Sequence, residues 1–203
     1  MIKKNYLAVA AASVLLFSSA AHAAIITFEF SGTVSAMGGT ALAAVGTPIK
    51  GTFTYDDQTK AVYVNKNLYA SYELAETSFI SATVDGHSIT SERLMVSVVN
   101  NFGGNVQDMV DIDGDVLHVD EASYPAGGIG MRLASRWDNK KAIKEISLPS
   151  SFNVDTFDPQ QSYGWVQRDG SQDGTLLQFS IDSIVVVRTC HVNGTSGAET
   201  CTE

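Results

Sequence analysis

The chain is short of the residues on which recognisable chemistry usually rests. Its 203 residues include two cysteines, four histidines, two tryptophans and four prolines, with 13 basic side chains against 22 acidic ones. Two cysteines, with no C-x-x-C pair, fall short of a structural zinc site, which takes four ligands. His22, His87, His118 and His191 form no H-E-x-x-H or His-x-His spacing, so no catalytic zinc motif is present. There is no G-x-S-x-G elbow, and Gly194-Thr195-Ser196-Gly197 lies in a polar stretch rather than after a core strand. A formal charge of −9 repels phosphate backbones and anionic lipid, which argues against nucleic acid and membrane surfaces as partners. The apolar run from Leu7 to Phe17 is shorter than the roughly 20 residues a bilayer span needs.

That run signals export instead. Lys3 and Lys4 precede it, small residues follow, and Ala21-His22-Ala23 closes it, the layout of a secretory signal peptide over residues 1–23 with cleavage after Ala23. Cleavage leaves 180 residues, 24–203, with 11 basic and 22 acidic side chains, a formal charge of −11 and no membrane span. This is enough chain for one domain with its own core. Export brings Cys190 and Cys201 into an oxidising compartment, where they are expected to pair. The expected layout is a single domain over 24–188 followed by a polar, disulfide-closed tail over 189–203.

The periodic segments repeat every two residues. In IITFEFSGTV, Ile26, Phe28 and Phe30 share one face, and Thr27, Glu29 and Ser31 the other. IKGTFTYD does the same with Ile49, Phe53 and Tyr55. FISATVDGHSIT carries Asp85-Gly86 at its centre, a type I′ hairpin signal. RLMVSVVN, GIGMRLAS and LLQFSIDSIVVV read as further strands, while WDNKKAIKEI, residues 137–146, has the only helical signal, worth a turn or two. About eight to ten short strands and an apolar face to cover predict an all-β, antiparallel β-sandwich of jelly-roll type.

Several short motifs recur together: F-x-F-S-G-T-V from Phe28, G-T-F-T-Y-D from Gly51, V-S-V-V-N-N from Val96, G-M-R-L from Gly130, S-L-P-x-x-F from Ser147 and G-x-L-x-x-F-S-I-D-S-I from Gly174. Together they resemble the body of exported bacterial PEP-CTERM proteins, which exosortase systems sort. The resemblance implies export and a β-fold and carries no catalytic residue. The Pro-Glu-Pro tail, apolar span and basic cluster of that family are not found in VVVRTCHVNGTSGAETCTE.

The densest polar stretch is MVDIDGDVLHVDE, Met109 to Glu121. An EF-hand loop started at Asp111 finds Asp113 and Asp115 in place, but Gly114 at position 4, Val116 at 6 and Ala122 at 12 break the pattern. A hairpin turning at Asp113-Gly114 explains the stretch better, with Asp111, Asp113 and Asp115 crowding near the turn as a weak calcium site. Calcium is the only cofactor the residues suggest.

Carboxylate pairs such as Asp155 and Asp158, or Glu73 and Glu76, carry no spacing that marks an acid/base pair. Trp137, Tyr124, Tyr163 and Trp165 lie among polar and Gly-rich segments where they would offer stacking faces to sugars, although Trp165 in YGWVQ reads as a core residue. The expected function is a non-enzymatic exported protein of the periplasm, cell surface or matrix, acting through polysaccharide or cell-surface protein contacts. The alternatives are a secreted polysaccharide hydrolase and a calcium-stabilised adhesion module.

Overall fold

Alternation in the sequence becomes strand in the computed structural model, which describes residues 24–38, 42–74, 78–102, 107–136, 142–169, 174–192 and 199–203. The strands are β1 Ala24–Met37, β2 Pro48–Asp56, β3 Tyr63–Asn65, β4 Tyr69–Glu73, β5 Phe79–Val84 and β6 His87–Phe102. They continue with β7 Gln107–Val119, β8 Ala122–Ala134, β9 Tyr163–Gln167, β10 Thr175–Phe179, β11 Ser183–Val192 and β12 Glu199–Thr202. Among the described residues the only helical elements are short 3₁₀ turns such as Val154–Thr156. Residues 142–146 are irregular, and the rest of the expected 137–146 turn lies outside the described residues.

The all-β expectation holds, and the sandwich does not. Antiparallel pairing runs β1-β2-β5-β6-β7-β8-β9-β10, and β10 then returns to β1 through Val34↔Phe179, Ala36↔Gln178 and Met37↔Leu177. A sandwich needs two sheets with free edges; this sheet closes on itself as an eight-stranded barrel. The remaining strands lie outside the ring. β4 lines the second half of β6 and carries β3, while β11 lines the first half of β1 and carries β12.

An eight-stranded barrel is just wide enough for side chains to fill it. The filling comes from the inward parity of each strand: Phe28 and Phe30, Phe53 and Tyr55, Ile80, Ile89, Ile112, Ile129, Val166 and Phe179 are all buried. Phe28 stacks on Phe53 at 4.8 Å between ring centres, and Phe30 on Phe179 at 5.9 Å, the second pair tying the inside of the closing seam. Glycines make room for the rings. Gly51 pairs with Phe30 and Gly164 with Phe179, where an added Cβ would come within 2.4 Å and 1.9 Å of the ring. The connection over residues 142–162 lays Phe152 edge-on to Phe28 at 5.2 Å. It also accepts hydrogen bonds from the Tyr55 hydroxyl at Pro149 O and the Tyr72 hydroxyl at Ile146 O, so this connection covers the core beside the first half of β1, β2 and β4.

The Asp85-Gly86 hairpin forms as predicted, with φ of 49° and 82° between β5 and β6. The hairpin expected at Asp113-Gly114 does not. β7 runs straight through both residues, and the reversal comes at Asp120-Glu121. Gly114 faces inward, where a Cβ would meet Ser91 Oγ at 1.9 Å and Ile80 Cγ2 at 2.7 Å; it is there for space, not for turning. Cys190 and Cys201 form the expected disulfide, joining β11 to β12. The tail expected from residue 189 is therefore partly strand, since β11 continues to Val192.

Candidate functional site

Outward parity on the closing half of the barrel brings the chemistry together. Asp113 of β7 pairs with Gly130 of β8, Gly130 with Trp165 of β9, Trp165 with Gln178 of β10, and Gln178 with Ala36 of β1. One row beside it runs Asp111, Arg132, Tyr163; the other runs Asp115, Gly128, Gln167, Thr175. Strands lie about 4.8 Å apart, so the central row extends roughly 20 Å across five strands. A groove of about 650 Å³ lies along these rows, lined by Asp113, Arg132, Tyr163, Trp165, Gln167 and Gln178, with Thr175 and Ala36 to Gly38 at the β1 side.

Glycine on β8 shapes it. A Cβ on Gly130 would come 2.5 Å from Trp165 Cζ2 and 2.7 Å from Asp113 Oδ1, so the indole and the carboxylate approach one another over a strand that offers no side chain. Tyr163 stands beside Trp165 with ring centres 5.7 Å apart, tilted by 52°. Trp165 is thus half-buried on the outer face and not in the core as its size suggested. Tyr124 packs partly buried against the core, and Trp137 lies outside the described residues.

The three aspartates of β7 meet different fates. Asp111 accepts two hydrogen bonds from Arg132, at 2.7 Å from Nε and 2.9 Å from Nη2, a bidentate pair that holds the guanidinium charged and aimed along the groove. Asp115 is exposed at the rim, 3.8 Å from Arg93. Among the described residues Asp113 has no ion-pair partner of its own: burial first, then the Asp111 and Asp115 charges, push its carboxyl up to about 7, with Arg132 opposing.

Asp111, Asp113 and Asp115, expected as a weak calcium site, lie at alternate positions of β7. The three carboxylates are strung along one strand, Asp111 is committed to Arg132, and among the described residues no three His, Cys, Asp or Glu side chains gather as a metal-binding group. His87 pairs with Asp120 at 2.7 Å and His118 with Glu92 at 2.8 Å, both near the surface and far along the strands from the groove. His191 stands opposite Ala24 in the β1–β11 ladder. Of the other carboxylates, Asp158 organises the turn before β9, accepting hydrogen bonds from Gln160 N and Gln161 Nε2, and Asp155 lies in the 3₁₀ turn. Glu73 is exposed at the end of β4, and Glu76 lies outside the described residues.

The sequence reading named Asp111, Asp113 and Asp115 but missed Arg132, Gln167 and Gln178. The available signal was parity: Tyr163, Trp165 and Gln167 share one face of β9, and a polar residue on the same parity as an aromatic marks an outward row. No protein-family model matches the chain, and neither a curated protein nor a solved structure matches it. No helix among the described residues is long and apolar enough to cross a membrane.

Proposed function

We propose that the chain is an exported, non-enzymatic binding module whose outer groove takes a neutral glycan at the cell surface, in the periplasm or in the surrounding matrix. The observation that carries this reading is the Trp165 indole over Gly130, beside Tyr163 and ringed by Asp113, Arg132, Gln167 and Gln178. An aromatic face stacks on the apolar side of a sugar ring, and short amide, carboxyl and guanidinium groups around it match ring hydroxyls. Electrostatics favour a neutral chain: Arg132, the cation among the groove's described lining residues, is neutralised by Asp111, burial holds Asp113 toward its uncharged form, and the protein is acidic throughout. The signal peptide, the resemblance to exported PEP-CTERM proteins and the disulfide support export.

The arrangement speaks against glycoside hydrolysis. Two catalytic carboxyls must flank the scissile bond, whereas these three project from one strand along one wall.

The test is affinity electrophoresis through gels containing mannan, dextran or mixed-linkage β-glucan, with alginate and polygalacturonate as anionic comparisons. At least one neutral polymer should retard the protein, and Trp165→Ala should weaken that binding about tenfold, roughly 1.4 kcal/mol, without changing the melting temperature by more than a few degrees. Retardation by the anionic polymers alone would remove the neutral class. No retardation by any of them, or binding that survives Trp165→Ala, would remove the reading.

A further inference from the structure

Ala24, the residue after the expected cleavage bond, opens β1 in a way an ordinary strand residue would not. The β1–β2 ladder pairs Ile25 with Asp56, so the next pair is Ala24 and Asp57. Asp57 N donates to Ala24 O at 3.0 Å, as a ladder requires. The return bond departs from the ladder: Ala24 N donates to the side-chain Oδ1 of Asp57 at 3.1 Å, and Gln58 Nε2 donates to the same oxygen at 3.1 Å. A neutral amide is satisfied by a main-chain carbonyl, whereas a carboxylate is the partner an ammonium calls for. Ala24 is also pinned from its other side, opposite His191 of β11, and its methyl group is buried.

We propose that Asp57 is the docking site for the α-ammonium of Ala24, created when a signal peptidase hydrolyses the Ala23–Ala24 bond. Water adds across that peptide bond; the released leader keeps the new carboxylate on Ala23, and the new amine on Ala24 takes up a proton. Processing converts a neutral hydrogen bond at the β1–β2 edge into an ion pair, so the mature chain is held more firmly there than its precursor. Among the described residues the ionisable groups facing this point include Tyr55 and Asp56 of β2 and His191 of β11; burial first and then the Asp57 charge keep the Tyr55 hydroxyl protonated, and Asp56 accepts a hydrogen bond from Gln58 N at 2.8 Å.

Two measurements test this. The intact mass of the exported protein should correspond to a chain beginning at Ala24. Four purified chains are then melted: one beginning at Ala24 and one carrying Ala21-His22-Ala23 ahead of it, each with Asp57 and with Asp57→Asn. Asparagine keeps the acceptor oxygen and removes the charge. The substitution should lower the melting temperature by about 2–4 °C in the chain beginning at Ala24 and by less than half as much in the extended one. The unsubstituted extended chain should itself melt below the unsubstituted mature one, a comparison that needs no substitution. Equal falls in both backgrounds, no difference between the two unsubstituted chains, or an exported product that begins elsewhere would overturn the proposal.

Discussion

At Asp113 the chain keeps a carboxyl group where burial and two flanking carboxylates favour the neutral form. An unfolded aspartate loses its proton near 3.9, and the folded one holds it to about 7. Below the lower value both states are protonated and there is no penalty. As pH rises from about 4 to 7 the unfolded chain ionises first and stability falls, and above 7 the loss levels off. Asp113→Asn removes this slope. Urea melts should therefore show the variant gaining on the unsubstituted protein by on the order of 2–4 kcal/mol between pH 4 and pH 8; a constant difference across that range would contradict the assignment. The sequence showed three aspartates on one parity but not their different surroundings. Those come from β8, where Arg132 reaches Asp111 while Gly130, opposite Asp113, offers no side chain.

Elements were largely legible because period-two alternation is a local property, and β1, β2, β5 and the Asp85-Gly86 hairpin follow from it directly. β7 was misread for a physical reason. Asp-Gly is a strong turn signal because glycine accepts positive φ, but glycine also serves where no Cβ fits, and Gly114 belongs to the second kind. Gly114→Ala is accordingly expected to cost about 1–3 kcal/mol by overpacking against Ser91 and Ile80, with the β7 backbone retained. Ser91 Oγ is buried without a hydrogen-bond partner, so Ser91→Ala in the same chain should recover part of the loss by vacating that space. Chemical denaturation of the single and double variants measures both. A neutral Gly114→Ala substitution would mean that the space beside Ser91 and Ile80 does not require a glycine.

Across the whole molecule, a sandwich and a barrel present the same alternation, and only the pairing of the last strands with the first separates them. Here that pairing is three register positions between β1 and β10, too short and too far apart in sequence for any local pattern to announce. The same seam links fold to function. Phe30 and Phe179 hold it from inside, while outside it the groove takes Ala36 and Met37 from β1 with Gly38 just after it, Thr175 and Gln178 from β10, and Asp113 and Arg132 from β7 and β8. A ligand lying along the groove touches both sides of the closure and binds the closed barrel in preference to an opened one, so it should stabilise the seam more than the distant wall. With a binding glycan at about a hundredfold excess over its dissociation constant, global stability should rise by roughly 2.7 kcal/mol. Hydrogen exchange should slow most at residues 34–38 and 175–179 and least at β5 and the first half of β6. Protection spread evenly over all eight strands would mean that the barrel opens as one unit, with no separate opening at the seam, whereas protection concentrated at the seam would make the last strand pairing of the fold also the part that the ligand secures.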